Sequence, residues 1–191
     1  SNASDVIKNI KNKMDELQTS FPSGISYTYS YDVSSFLNAS IDSVLYTLVE
    51  AFLLVALVVF IFLGDFRSTL IPAIAVPISL IGTFFFMQLF GFSINLITLF
   101  ALVLAIGIVV DNAIVVVEAV HAKMEELHID AKAATQEAIK EIGGAIIAIT
   151  LVMSAVFIPV AFLPGPTGVF YRQFSLTMAI AIVLSGVSAL T

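Results

Sequence analysis

Between Arg67 and Asp111 the chain carries no Asp, Glu, Lys or Arg. A helix needs about 20 apolar residues to cross a hydrocarbon layer of about 30 Å, so this single gap has room for two crossings. Gly91-Phe92-Ser93 punctuates it as a turn, which divides the gap into spans over 70–90 and 95–118. Upstream, the stretch 34–63 reads as a linker followed by a span from Val44 to Leu63, interrupted only by Glu50. Downstream, 142–163 is an uncharged span, and the cluster Pro164-Gly165-Pro166-Thr167-Gly168 turns the chain. Arg172 then opens a last apolar stretch over 172–191. Lipid admits only helices or closed barrels, and these runs lack the alternation of barrel strands. The fold class expected is therefore an all-α membrane bundle of five helices.

Composition agrees: 59% of the residues are apolar and 12% charged, against about 25% charged in a soluble domain. A net charge of -6 excludes a nucleic-acid partner, which is held through clustered Lys and Arg. Without cysteine there is no disulfide, thiolate nucleophile or Cys-ligated metal. No Gly-x-x-x-x-Gly-Lys loop is present to cradle a nucleotide phosphate, so no cofactor is expected and the chain does not read as an enzyme. An ion gradient remains as the source of energy.

Lys and Arg near span ends set orientation. Arg67 lies in the first connector and Lys123, Lys132 and Lys140 lie in the connector 119–141, read as a helix, against Arg172 alone on the other side. The first and third connectors are therefore expected in the cytoplasm and the N-terminal arm outside. Ser1 to Ala3 read as an expression scar. Over 4–33, Val6, Ile10, Met14, Leu17 and Phe21 recur at helical spacing, and Ile25, Tyr27, Tyr29, Tyr31 and Val33 alternate as in a strand. One helix and one strand cannot close a core, so this α/β piece reads as the remnant of a larger external domain, and the chain as an excised piece.

The residue that most demands a use is Asp111. A carboxylate near mid-bilayer costs about 2.5 to 3.5 kcal/mol on insertion scales, and no Lys or Arg of this chain lies inside a span to pair with it. Helical spacing sets Leu104, Gly107, Val115 and Glu118 on the Asp111 face, with Ala101, Ala105 and Asn112 on a neighbouring one. Asn112 cannot titrate and reads as interhelical hydrogen-bonding glue. Glu50 and Glu118 are accessory candidates for a relay, although each is near a span end where snorkelling or solvation explains it. His121, Glu125 and His128 recur at i, i+4 and i+7, a spacing that can put three metal ligands on one helical face. The surrounding Ala, Glu and Lys and the missing His-Glu-x-x-His signature favour a solvated face instead. Phe84, Phe85, Phe86 and Phe90 read as surface toward lipid and other helices, not as a drug-binding box.

Several motifs carry a resemblance: Phe21-Pro22-Ser23-Gly24, Phe66-Arg67-Ser68-Thr69-Leu70-Ile71-Pro72, Gly91-Phe92-Ser93-Ile94-Asn95, Val110-Asp111-Asn112-Ala113-Ile114-Val115-Val116-Val117-Glu118 and Tyr171-Arg172-Gln173-Phe174-Ser175. Together they resemble inner-membrane multidrug exporters of the resistance-nodulation-division superfamily, hydrophobe/amphiphile branch. The resemblance implies that 4–33 ends a periplasmic porter region and that the five helices are spans two to six of twelve. It further implies a homotrimer driven by protons that exports drugs and other amphiphiles with a periplasmic adaptor and an outer-membrane channel. Family members usually carry adjacent aspartates in the fourth span, where this sequence has Asp111 and Asn112. One proton site is then left, and the fragment alone is expected to be inactive. A non-transporting membrane scaffold, or an accessory subunit of protein translocation, is the alternative.

Overall fold

A computed structural model describes residues 3–191, so the expected scar lies almost wholly outside the described residues. Six helices follow one another: α1 (Ala3–Gln18), α2 (Ser34–Leu63), α3 (Phe66–Leu89), α4 (Leu96–Leu127), α5 (Ala131–Val160) and α6 (Pro166–Leu190). The last five are long and apolar enough to cross a membrane. Local chemistry fixes their ends. Gly64 closes α2 in the left-handed region (φ 63°), its N–H donating to the Phe60 carbonyl at 3.0 Å. The next residue, Asp65, caps α3 by accepting from the Ser68 N–H. Asn95 opens α4 with a reciprocal capping box through Thr98.

At the centre of the bundle lies α4, which packs against α2, α3, α5 and α6. Ala101, Leu102, Ala105 and Ile106 are fully enclosed. Helices in lipid gain little from excluding water from each other, so dispersion between closely approaching backbones dominates. The small side chains of Ala101 and Ala105 meet Met178 and Ala181 of α6 accordingly. One further close approach joins α5 to α6: a Cβ on Gly186 would lie 2.4 Å from the Thr150 hydroxyl oxygen. On the other flank, α2 fully buries only Val44 and Val59, packs Ile41, Leu48, Phe52 and Val55 half-buried against the same core, and turns Leu53, Leu54, Leu57 and Ile61 outward. Pro72 and Pro77 are accommodated within α3, and Pro159 within the last turn of α5.

Three expectations are corrected. The alternating segment Ile25–Val33 forms no strand, because a strand needs a ladder partner and the described residues contain no second extended segment beside it. Only the helical half of the arm forms; Lys11 of α1 pairs with Asp32, whose carboxylate also accepts from the Ser34 N–H at 2.8 Å. The connector 119–141 is not a helix of its own. Its residues extend α4 to Leu127 and α5 back to Ala131, divided at His128, which has left-handed backbone (φ 54°). Finally, α6 starts at Pro166, inside the turn cluster, and not at Arg172: proline suits a first helical position because its missing N–H would find no partner there.

Candidate functional site

Asp111 stands at the midpoint of α4, and neighbouring side chains of the same helix divide sharply by face. Leu104, Gly107, Asp111, Val115 and Glu118 all lie on the open side of α4, whereas Ala101, Ala105 and Asn112 are buried against α6. A rotation of 100° per residue makes this division, so consecutive residues have opposite surroundings.

Asn112, 7% exposed, donates from Nδ2 to the Ser185 hydroxyl at 3.1 Å. Ser185 in turn donates to the Val109 carbonyl at 3.0 Å, so one α6 side chain is tied twice to α4. A neutral amide fits this position: it satisfies a buried hydroxyl without placing a charge between packed helices.

Asp111 makes no hydrogen bond or ion pair with any of the described residues. Its surroundings are nonetheless apolar. Together with Asn112 it lines a groove of about 450 Å³ that opens between α2, α4 and α5, with Leu54, Val58, Ile149 and Met153 among the walls. The floor beside it is Gly107, where an added Cβ would meet nothing within 4 Å. Thr150 also lines this groove, and its buried hydroxyl has no partner. The arrangement thus presents one carboxyl, unpaired within the described residues, on a mainly apolar wall whose other polar side chains, Asn112 and Thr150, are neutral.

The other candidates do not converge on it. Glu50 and Glu118 are exposed and neither lines the groove. His121 turns the other way, its Nε2 lying 2.7 Å from the Ser68 hydroxyl, which donates to Asp65 at 2.8 Å. That chain joins the cap of α3 to α4. The Ser68 hydroxyl and N–H hold the Asp65 carboxyl below the usual aspartate range, with His121 adding a smaller electrostatic contribution. Glu125 lies on the α4 extension, and His128 ends it as the cap residue. Among the described residues no three His, Asp or Glu side chains are brought together as a metal-ligating group, His121, Glu125 and His128 included. Nearby, Lys123 bonds Glu126 first and Glu141 of α5 second, at 2.9 Å each, and these carboxylates push its pKa up to about 12. Sequence reasoning missed Ser185, Thr150 and Ser68. The small-residue pair Ser185-Gly186 inside an apolar helix is the one signal that points to the first.

Comparison with known proteins gives concordant results. The sequence profile of the AcrB/AcrD/AcrF family matches residues 1–191. The chain is 51% identical over 189 residues to the multidrug export protein AcrF of Escherichia coli K12, covering 99% of this chain and 18% of the relative. It is 45% identical over 184 residues to the multidrug resistance protein MdtF of the same organism (96% and 18%). To the toluene efflux pump membrane transporter TtgB of Pseudomonas putida it is 46% identical over 189 residues (99% and 18%). The chain therefore spans less than a fifth of the length of the curated relatives it matches.

Proposed function

The chain belongs to the AcrB/AcrD/AcrF family, and from that premise we propose that it is the part of a proton-driven inner-membrane exporter in which Asp111 takes up and releases the coupling proton. The observation that carries this reading is the contrast between Asp111 and Asn112: the titratable member faces an open apolar groove, and the amide is locked into the α4–α6 interface.

The physics is that of a charge switch. An ionised carboxylate in an apolar wall demands water or a cation; a protonated one can be covered by apolar side chains. At about 2.5 to 3.5 kcal/mol per buried charge and about 1.4 kcal/mol per tenfold, one proton biases two packings of the groove by roughly two powers of ten. A bundle with two such packings moves between them as the proton binds and leaves. Asn112 adds no second proton, so the coupling runs through a single titrating site in this span.

The names of the relatives support drugs and organic solvents as exported compounds, an amphiphilic substrate class. Family membership further supports a homotrimeric full-length protein that works with a periplasmic adaptor and an outer-membrane channel. In this reading the α1 arm is periplasmic, the 64–65 and 128–130 connections are cytoplasmic, and the 191-residue segment alone does not transport. Accessory roles for Glu50 and Glu118 are not part of the proposal, since neither reaches the groove. Drug susceptibility of cells expressing the full-length protein tests it: Asp111→Ala is expected to abolish protection at normal protein levels. Unchanged protection across external pH would leave a scaffold as the better account.

A further inference from the structure

A second groove, of about 580 Å³, lies between α3, α5 and α6, away from Asp111. Its wall is aromatic at one end, where Phe86 and Phe90 stack with centroids 6.4 Å apart and Phe92 lies 6.3 Å beyond. Aliphatic side chains, Leu176 and Val183 among them, continue it along α6. Two polar groups interrupt the apolar lining. Arg172 is exposed and forms no ion pair among the described residues. Ser154 is 6% exposed, and its buried hydroxyl has no partner. Its neighbour along α6 explains the direction of Arg172: Gln173 accepts a hydrogen bond from Asn95 at the start of α4, which fixes α6 about its axis and turns the preceding residue off that interface.

A long apolar trough with an unpaired guanidinium at its aromatic end, and a buried hydroxyl with no partner, is complementary to an amphiphile with an anionic head and a carbonyl. We propose that this groove binds one anionic phospholipid. The phosphate meets Arg172, an ester carbonyl accepts from Ser154, and an acyl chain lies along Leu176 and Val183. Guanidinium recognises phosphate through charge-assisted hydrogen bonds, and aromatic side chains favour the depth at which a headgroup meets its tails. The inference stands on this groove alone and is independent of any role for Asp111.

Native mass spectrometry of the full-length protein, released from bilayers containing equal amounts of phosphatidylglycerol and phosphatidylethanolamine, tests it. Wild type is expected to retain phosphatidylglycerol preferentially. Arg172→Gln is expected to lower phosphatidylglycerol retention by about tenfold, the scale of one lost hydrogen bond to a charged group, and to lower phosphatidylethanolamine retention less, because that phosphate is already offset by its own ammonium. Arg172→Lys keeps the charge and most of the preference, and Ser154→Ala weakens it without abolishing it. Equal retention of both lipids by wild type, undiminished preference in Arg172→Gln, or no retained lipid at all would overturn the proposal.

Discussion

Asn112 and Ser185, 73 positions apart in the chain, are joined by a 3.1 Å hydrogen bond inside the α4–α6 interface. Each side chain is buried, and the serine passes the connection on to the Val109 carbonyl. Asn112→Ala is expected to cost about 0.6 to 2 kcal/mol, the range of interhelical hydrogen bonds in membranes. Ser185→Ala should cost a similar amount, and the double variant less than the sum, because both single changes break the same bond. Thermal unfolding of the four proteins in one detergent measures this.

Gly186 and Thr150 set the spacing of α5 and α6. An added Cβ at 186 would lie 2.4 Å from the threonine hydroxyl oxygen and 2.9 Å from its methyl carbon. Gly186→Ala is therefore expected to destabilise the bundle by about 1 to 3 kcal/mol through overpacking. Thr150→Ala removes both colliding atoms along with a hydroxyl that has no partner, so adding it should restore most of the loss. A Gly186→Ala variant as stable as wild type would place the two helices further apart than described.

The capping box at Asn95 starts α4, with the side chain accepting from Ile97 at 3.0 Å and Thr98 at 3.1 Å. Asn95→Ala loses these and the bond to Gln173. A cost of about 0.5 to 2 kcal/mol is expected from the cap, read as a lower midpoint in thermal unfolding, with Asn95→Asp retaining the cap contribution but not the donated bond.

Acid should release the α1 arm before it affects the bundle. The Lys11 ammonium, followed by the Ser34 hydroxyl and N–H, holds the Asp32 carboxyl well below its ordinary value. A depressed folded pKa gives stabilisation that is present above the unfolded value, about 3.9, and is lost as pH falls from there through the folded value. Amide hydrogen exchange in α1 is expected to accelerate below about pH 4 in wild type. Asp32→Asn should exchange fast already at neutral pH, and with no such acid step.

The spans were legible because lipid imposes a simple rule on sequence: charge must vanish for about 20 residues. The empty stretch from Arg67 to Asp111 therefore announces α3 and the first half of α4. Periodicity along α4 also separated the Asp111 face from the Asn112 face correctly, since one helix needs only its own geometry to do so. Alternation over Ile25–Val33 misled, because alternation describes a surface ready to pair and the described residues provide no partner strand. Charge density concealed that 119–141 continues α4 and α5, as polar residues can extend a helix past the apolar layer without breaking it. Nothing local identifies Ser185 as the partner of Asn112 or His121 as that of Ser68; these pairs exist only once distant helices have met.

Proton movement measured directly decides the central claim. Full-length protein reconstituted in proteoliposomes with an internal pH indicator is expected to carry a substrate-stimulated proton flux in wild type and none in Asp111→Asn, a change that keeps the size of the side chain and removes only its ability to titrate. An undiminished flux through Asp111→Asn would contradict the assignment of the coupling proton to this carboxyl.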